Sequence, residues 1–403
     1  MSDIETILAA PAFKAATDDL KRHHDRFVDD IIRLTEIPAP PFKEEKRAEA
    51  VRAMMEAAGL EEVGLDGIGN VTGLRRGRGN GHIVVVAAHL DTVFPEGTDV
   101  TVRREGTKLF APGVGDDTRG LATLLAFVRA LNAAGVETVD DLLFVADVGE
   151  EGKGDLRGIR HLFAEGAYRE RIKAFFTMDS PDMEEVVVTA VGSKRYHVVF
   201  RGPGGHSLMA FGTVNPGYAM AAVVSGLAAI EVPKEPRTAY CASVFGGGTS
   251  INAIPEEVWV DVDLRSTAPD ELARLDGALH ALIETAVAAE NARGSTDNGS
   301  ITAEAVLIGD RPAGGTAKSA PIVTAATAAL KAYGYDVVYS ASSTDANIPM
   351  SLGIPAIRLG TGGRGGRAHT VEEWIDVEPE ESLKGLSAGL ATVLAVARLA
   401  DAG

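Results

Sequence analysis

Seven polar residues in four short stretches carry the chemistry this sequence is equipped for: His89 and Asp91, Asp116 and Asp117, Glu150 and Glu151, and Asp179. Histidine with several aspartates and glutamates, and no cysteine, is the donor set of a hydrolytic zinc, manganese or cobalt centre. One carboxylate can bridge two ions a few ångströms apart, which lowers the pKa of a shared water. A spare carboxylate alongside takes that water's proton as general base. Taken singly, each stretch has a plainer reading. His-x-Asp is usually a hydrogen-bonded pair, Asp116-Asp117 before a helix an N-cap, and Glu150-Glu151 a solvated loop. Taken together they point to a metal site, because they fall where buried apolar runs end.

The elements that must position these residues can be read from the surrounding pattern. Ile83 to Ala88, Leu142 to Ala146 and Ala174 to Met178 are short continuous apolar runs of the buried-strand type. His89 follows the first run, Glu150-Glu151 follow the second, and Asp179 closes the third. Asp116-Asp117 stand between a glycine turn and a helix expected over 118–134. Helices are expected over 15–36, 44–58, 318–333 and 378–400, with strands at 336–340 and 355–359. This alternation predicts an α/β fold, a mostly parallel central sheet flanked by helices. In such sheets a site forms outside the carboxyl ends of the strands, which is where all four stretches lie. Between residues 193 and 310 the pattern becomes βαββαβ, the order of a ferredoxin-like sandwich. Its strand at 257–265 alternates cleanly, Val258, Val260, Val262 and Leu264 against Trp259, Asp261, Asp263 and Arg265. The expected organisation is a small domain at 193–310 inserted into a larger one made of 1–192 and 311–403.

Composition narrows the function further. With 39 basic and 57 acidic residues the net charge is −18, a poor match for nucleic-acid phosphates or anionic lipid. No apolar run approaches the roughly 20 residues of a membrane span. The acidic amino terminus does not resemble a secretory signal, so a cytoplasmic protein with neither nucleic-acid nor membrane partners is expected. The single cysteine, Cys241, excludes an internal disulfide and reads as a buried small hydrophobe. His23, His24, His82, His161, His197 and His280 lie in helices, strands or charged faces and read as structural or solvated.

The segments His89-Leu90-Asp91-Thr92-Val93, Gly113-Val114-Gly115-Asp116-Asp117, Glu150-Glu151-Gly152, Asp179, Gly204-Gly205-His206-Ser207 and Ala368-His369-Thr370 occur in a recognisable order. In this the chain resembles the dizinc exopeptidase and deacylase family of peptidase T, carboxypeptidase G, acetylornithine deacetylase and succinyl-diaminopimelate desuccinylase. The resemblance runs from about residue 30 to the C-terminus. It implies two divalent ions, zinc first with manganese or cobalt as alternatives. His89 and Asp179 would hold one ion, Glu151 and His369 the other, and Asp116 would bridge them. Asp91 would orient His89, and Glu150 would be the general base. His206 would stabilise the oxyanion, reaching the active site of the other subunit, and Asn252 and Arg265 would grasp the substrate. For Arg265 the residues alone leave a second reading open, a salt bridge to Asp261 or Asp263. The resemblance also implies a cis peptide between Asp116 and Asp117 and a homodimer formed through the inserted lid domain. Where many members carry Lys after the bridging acid, this chain has Thr118-Arg119.

The expected function is metal-dependent hydrolysis of a peptide or amide bond in a small substrate, first an exopeptidase on di- or tripeptides. The alternatives are an N-acyl-amino-acid deacylase, a desuccinylase or a carboxypeptidase. A non-catalytic scaffold of the same fold is the alternative of another class, and a retained Glu150 argues against it.

Overall fold

The computed structural model describes residues 3–79 and 81–400. The chain divides into two compact units, Met1–Ala190 with Gly315–Gly403 as one and Val191–Gly314 as the other. In the larger unit a sheet runs in the order 61–65, 71–75, 141–147, 83–89, 172–178, 356–359, 185–190 and 314–315. The strand Val338–Ser342 pairs on 185–190 in parallel. Ile83–His89 is parallel to Asp141–Asp147 on one side and to Ile172–Met178 on the other. Ala356–Leu359 extends the parallel core beyond Ile172–Met178.

The apolar run at 83–88 is continuous because both faces of its strand are covered. Val84, Val86 and Ala88 enter a core with helices Thr118–Ala133, Pro321–Ala332 and Pro379–Ala397. Ile83, Val85 and Ala87 enter a separate core with helix Arg157–Ala164. Two-faced burial of this kind is what removes the polar alternation from a strand. The expected helix over 15–36 is two helices, Pro11–Arg22 and His24–Thr35, separated at His23.

A small antiparallel sheet, in the order 364–366, 374–376, 108–110 and 103–105, lies beyond the expected elements. It joins two remote parts of the chain, pairing Trp374 with Phe110 and Ile375 with Leu109.

The smaller unit has an antiparallel sheet in the order 238–247, 257–266, 192–201 and 302–311. Helices Pro216–Ala228 and Pro269–Arg293 share its core with Val258, Val260, Val262 and Leu264. The element order is βαββαβ. Cys241 corrects an expectation: it is exposed, because alternate residues of the strand Thr238–Gly247 face away from that core. Among the described residues no helix is long and apolar enough to cross a membrane.

Candidate metal centre

Three strand ends and two loops of the larger unit deliver the expected ligands to one place. His89 ends its strand, Glu151 follows Asp141–Asp147, and Asp179 follows Ile172–Met178. Asp116 stands one residue before the N-cap of helix Thr118–Ala133. That cap is Asp117, whose Oδ1 accepts from Gly120 N at 3.1 Å while Oδ2 accepts from His89 N at 3.1 Å. The aspartate pair thus divides its two readings, Asp117 as a cap and Asp116 turned to the histidines. The peptide bond between them is cis. Gly120 permits the close approach: a Cβ there would lie 2.1 Å from the carbonyl oxygen of Met178, the residue before Asp179.

Asp116 sits between two imidazoles. Its Oδ1 lies 2.8 Å from His89 Nε2 and its Oδ2 lies 3.0 Å from His369 Nε2. The same His369 nitrogen lies 2.9 Å from Glu151 Oε1. One ligand atom each from His89, Asp116 and Glu151 falls within 4.8 Å of the others. A carboxylate with a different nitrogen donor at each oxygen is what a bridge between two ions requires, so these residues fit a dinuclear centre.

The electrostatics fit as well. Burial works against ionisation of Asp116, yet the two imidazoles hold its carboxyl below the usual carboxylate range. Bonds to Asp116 and Glu151 push the His369 imidazole up to about 11. His89 is also pushed well up by Asp116 and Asp91, although burial opposes it. Asp179 moves the other way from Asp116: burial and the Asp116 charge push it up to about 6, against the pull of Arg358. A crowd of carboxyls and imidazoles that trap protons among themselves is the electrostatic situation a divalent cation relieves.

Asp91 is fully buried, and its carboxylate accepts from the backbone N–H of Glu150 at 3.0 Å and of Glu151 at 2.9 Å. His89 Nδ1 is closer to the Asp91 carbonyl oxygen, at 3.0 Å, than to its carboxylate, at 3.6 Å. Asp91 therefore holds the His89 ring mainly through its backbone. Its side chain holds the turn that carries Glu150 and Glu151, both largely buried.

Three acids near the centre escaped the sequence reading. Glu373, 2% exposed, accepts the backbone N–H groups of Gly113, Gly115 and Asp116, and burial with the Asp116 charge pushes it up to about 7. Asp147 and Asp345 are fully buried near each other, and none of their four side-chain oxygens has a hydrogen-bond partner among the described residues. Burial and Asp91 push Asp147 up to about 7, and burial, Asp147 and Glu150 push Asp345 well up. Two facing carboxyls in an apolar site cannot both ionise. Asp345 follows the strand Val338–Ser342, so the strand-end rule used for the other acids also selects it. Arg119, at the position where many members have Lys, is fully buried in the core and donates to Ser382 Oγ at 3.1 Å.

The remaining expected residues lie in the smaller unit. His206 pairs with Ala253 in a two-residue ladder, and Ser207 N donates to the carbonyl of Asn252 at 2.9 Å, so His206 and Asn252 occupy adjacent loops. His206 Nδ1 accepts from Leu208 N at 3.2 Å and Met209 N at 3.4 Å, which puts the ring proton on Nε2. Arg265 Nε donates to Asp263 Oδ2 at 2.6 Å, the salt bridge that the residues alone left open. Asp263 also accepts from Arg195 at 3.2 Å.

Comparison with known proteins places the chain. Residues 85–396 match the model of the peptidase family M20/M25/M40, and the chain belongs to that family. It is 27% identical over 281 residues to succinyl-diaminopimelate desuccinylase from Corynebacterium glutamicum, covering 66% of this chain and 73% of that protein. In structure it is similar to aminopeptidase PepT from Bacillus cereus, with TM-score 0.75 and 23% identity over 93% of this chain and 99% of that one. It is also similar to a dinuclear metal-binding peptidase of the M20 family from Bacillus subtilis, with TM-score 0.67 and 19% identity over 93% and 99%. The family expected from the motifs is the family found, and the chain is a metal-dependent peptidase or amidohydrolase with a dinuclear centre.

Proposed function

Proceeding from that family membership, we propose that this chain is an exopeptidase that hydrolyses di- or tripeptides, with zinc as its metal. The observation that carries the hydrolytic reading is Asp116 held between the imidazoles of His89 and His369, with Glu151 on the second. His89 and Asp179 would hold one ion, Glu151 and His369 the other, and Asp116 both. When bound, the ions polarise the scissile carbonyl and make a water a better nucleophile at neutral pH. Glu150, on the turn held by the Asp91 carboxylate, takes the water's proton and returns it to the leaving amine. His206 of one subunit would stabilise the oxyanion in the active site of the other by a hydrogen bond from Nε2. Asn252 and Arg265 would grasp the substrate, Arg265 being suited to a bidentate pair with a substrate carboxylate in place of Asp263. The structural likeness to an aminopeptidase supports the choice of peptides. The 27% identity to a desuccinylase supports a second reading, an N-acyl amino acid as substrate.

A mixed library read by mass spectrometry, with added zinc or manganese, separates the two. It would hold free di- and tripeptides, amino-terminally blocked peptides and N-acyl amino acids. Consumption of only the free peptides is the expected result. Consumption of only N-acyl amino acids or blocked peptides overturns the aminopeptidase reading in favour of a deacylase or carboxypeptidase. The same proposal includes a cytoplasmic location and a homodimer through the smaller unit. Sedimentation tests the second: a monomer at micromolar concentration removes it.

A further inference from the structure

Glu373 has no place in the ligand set, yet it holds the backbone of a ligand. Its Oε1 accepts from Gly115 N at 2.7 Å and from the amide of Asp116 itself at 2.9 Å, and its Oε2 accepts from Gly113 N at 2.9 Å. A carboxylate that is 2% exposed is thus met by three N–H groups of one loop, a backbone nest for an anion. Gly115 allows the loop to wrap so closely, since a Cβ there would stand 3.1 Å from Glu373 Oε1 and 2.9 Å from Ile375 Cγ2. The other end of Glu373 is tied to the turn of His369. Its backbone N–H donates to Thr370 O at 3.1 Å, and its carbonyl accepts from Ala111 N at 3.1 Å. One residue therefore bonds to both loops whose side chains meet at 3.0 Å, Asp116 Oδ2 and His369 Nε2. Neither His89 nor Asp179 hangs on this strut, because each is placed by the end of its own central strand.

We propose that Glu373 is a positioning residue that sets the spacing of Asp116 and His369, and with it the affinity of the centre for one of its two ions. The inference rests on the ligand assignment proposed above. Partners behind a metal ligand typically contribute about 10–100-fold in metal affinity, so the effect is measurable. Replacing the carboxylate by an amide leaves one acceptor oxygen and turns an NH₂ group toward backbone N–H groups. Removing the side chain leaves three N–H groups unmet. The weakening should fall on the ion shared by Asp116, Glu151 and His369. The ion that His89 and Asp179 would hold should be retained, since neither of those residues bonds to Glu373.

The test is a zinc titration of the metal-free protein by calorimetry against a competing chelator, alongside its unfolding midpoint. The wild-type chain should take up two equivalents. Glu373→Gln should take up one equivalent unchanged and the other about tenfold less well, and Glu373→Ala about a hundredfold less well. A purely structural residue would lower the unfolding midpoint without splitting the two equivalents. Should Glu373→Gln prove too unstable to titrate, Gly115→Ala disturbs the same bond from the loop side and should reproduce the split. Two undiminished equivalents in a folded variant overturn the proposal while leaving the ligand assignment standing. A wild-type chain that binds fewer than two overturns that assignment and this proposal with it.

Discussion

The strand Asp141–Asp147 is buried from end to end and has an aspartate at each end, and the two ends are treated in opposite ways. At its start, Asp141 accepts from Gly77 N at 2.8 Å and pairs with Arg171 at 2.5 Å. The adjacent Asp140, fully buried, pairs with Lys173 and with Arg398 at 2.8 Å. At its end, Asp147 faces another acid, Asp345, and beyond it lie Glu150, Glu151, Asp116 and Asp179 with two imidazoles among them. Buried carboxylates closed by lysine and arginine have their charge answered within the chain. Carboxylates met by imidazoles and by one another retain donor atoms that a divalent cation satisfies better than protons do. The same residue type is answered by arginine at the start of the strand and by a second acid at its finish.

This contrast can be broken by mutation, and the largest effect belongs at the finish. Glu150→Gln should lower kcat by about 10²–10⁴, the contribution of a general base, while zinc content by atomic emission stays at the wild-type value. A variant with most of its turnover would remove Glu150 from that role. At the other end Asp140→Asn should do the reverse, leaving kcat/KM unchanged and lowering stability in denaturant melts. A fully buried pair broken on one side costs roughly 3–5 kcal/mol; with Lys173 and Arg398 about a third exposed and able to rehydrate, about 2 kcal/mol is expected here. Loss of activity without loss of stability in Asp140→Asn would erase the contrast.

Metal removal sharpens it. In the chelated protein Asp179 is held at about 6 and Asp147 and Glu373 at about 7, all above the unfolded carboxyl range. The folded chain then binds more protons than the unfolded chain between about pH 4 and pH 7, so its stability falls as pH rises through that window. Equilibrium unfolding at pH 4.5, 6 and 7.5 should show this fall, and saturating zinc should reduce it. The smallest effect is Asp147→Asn, which removes one titrating acid and should flatten the fall in stability of the chelated chain as pH rises through that window. An unchanged pH slope in that variant would mean that the acid pair is ionised differently from the description here.

Much of the large unit was legible because its strands are continuous apolar runs of four to six residues, a pattern that burial on both faces imposes. The helix Thr118–Ala133 was legible through Asp117 and the closing glycine at 135. His23 was not legible as a helix break, since nothing in Lys21-Arg22-His23-His24 excludes a continuing helix. The short strands at 103–105, 108–110, 364–366 and 374–376 were not legible either. They are three residues each, too short to show a period, and exist because they pair with one another. Glu373 was hidden for that reason: its meaning lies in three N–H groups some 260 residues away in sequence.

The sequence by itself determined the family, the candidate donors and the strand ends that carry them, because these depend on residue type and on contacts close along the chain. Only the tertiary structure decided that Asp116 lies between two imidazoles, that Asp117 caps instead of facing them, and that Arg265 pairs with Asp263. Each of these depends on an angle or a distance between side chains brought together by pairing and packing, and local residue preference carries no information about either.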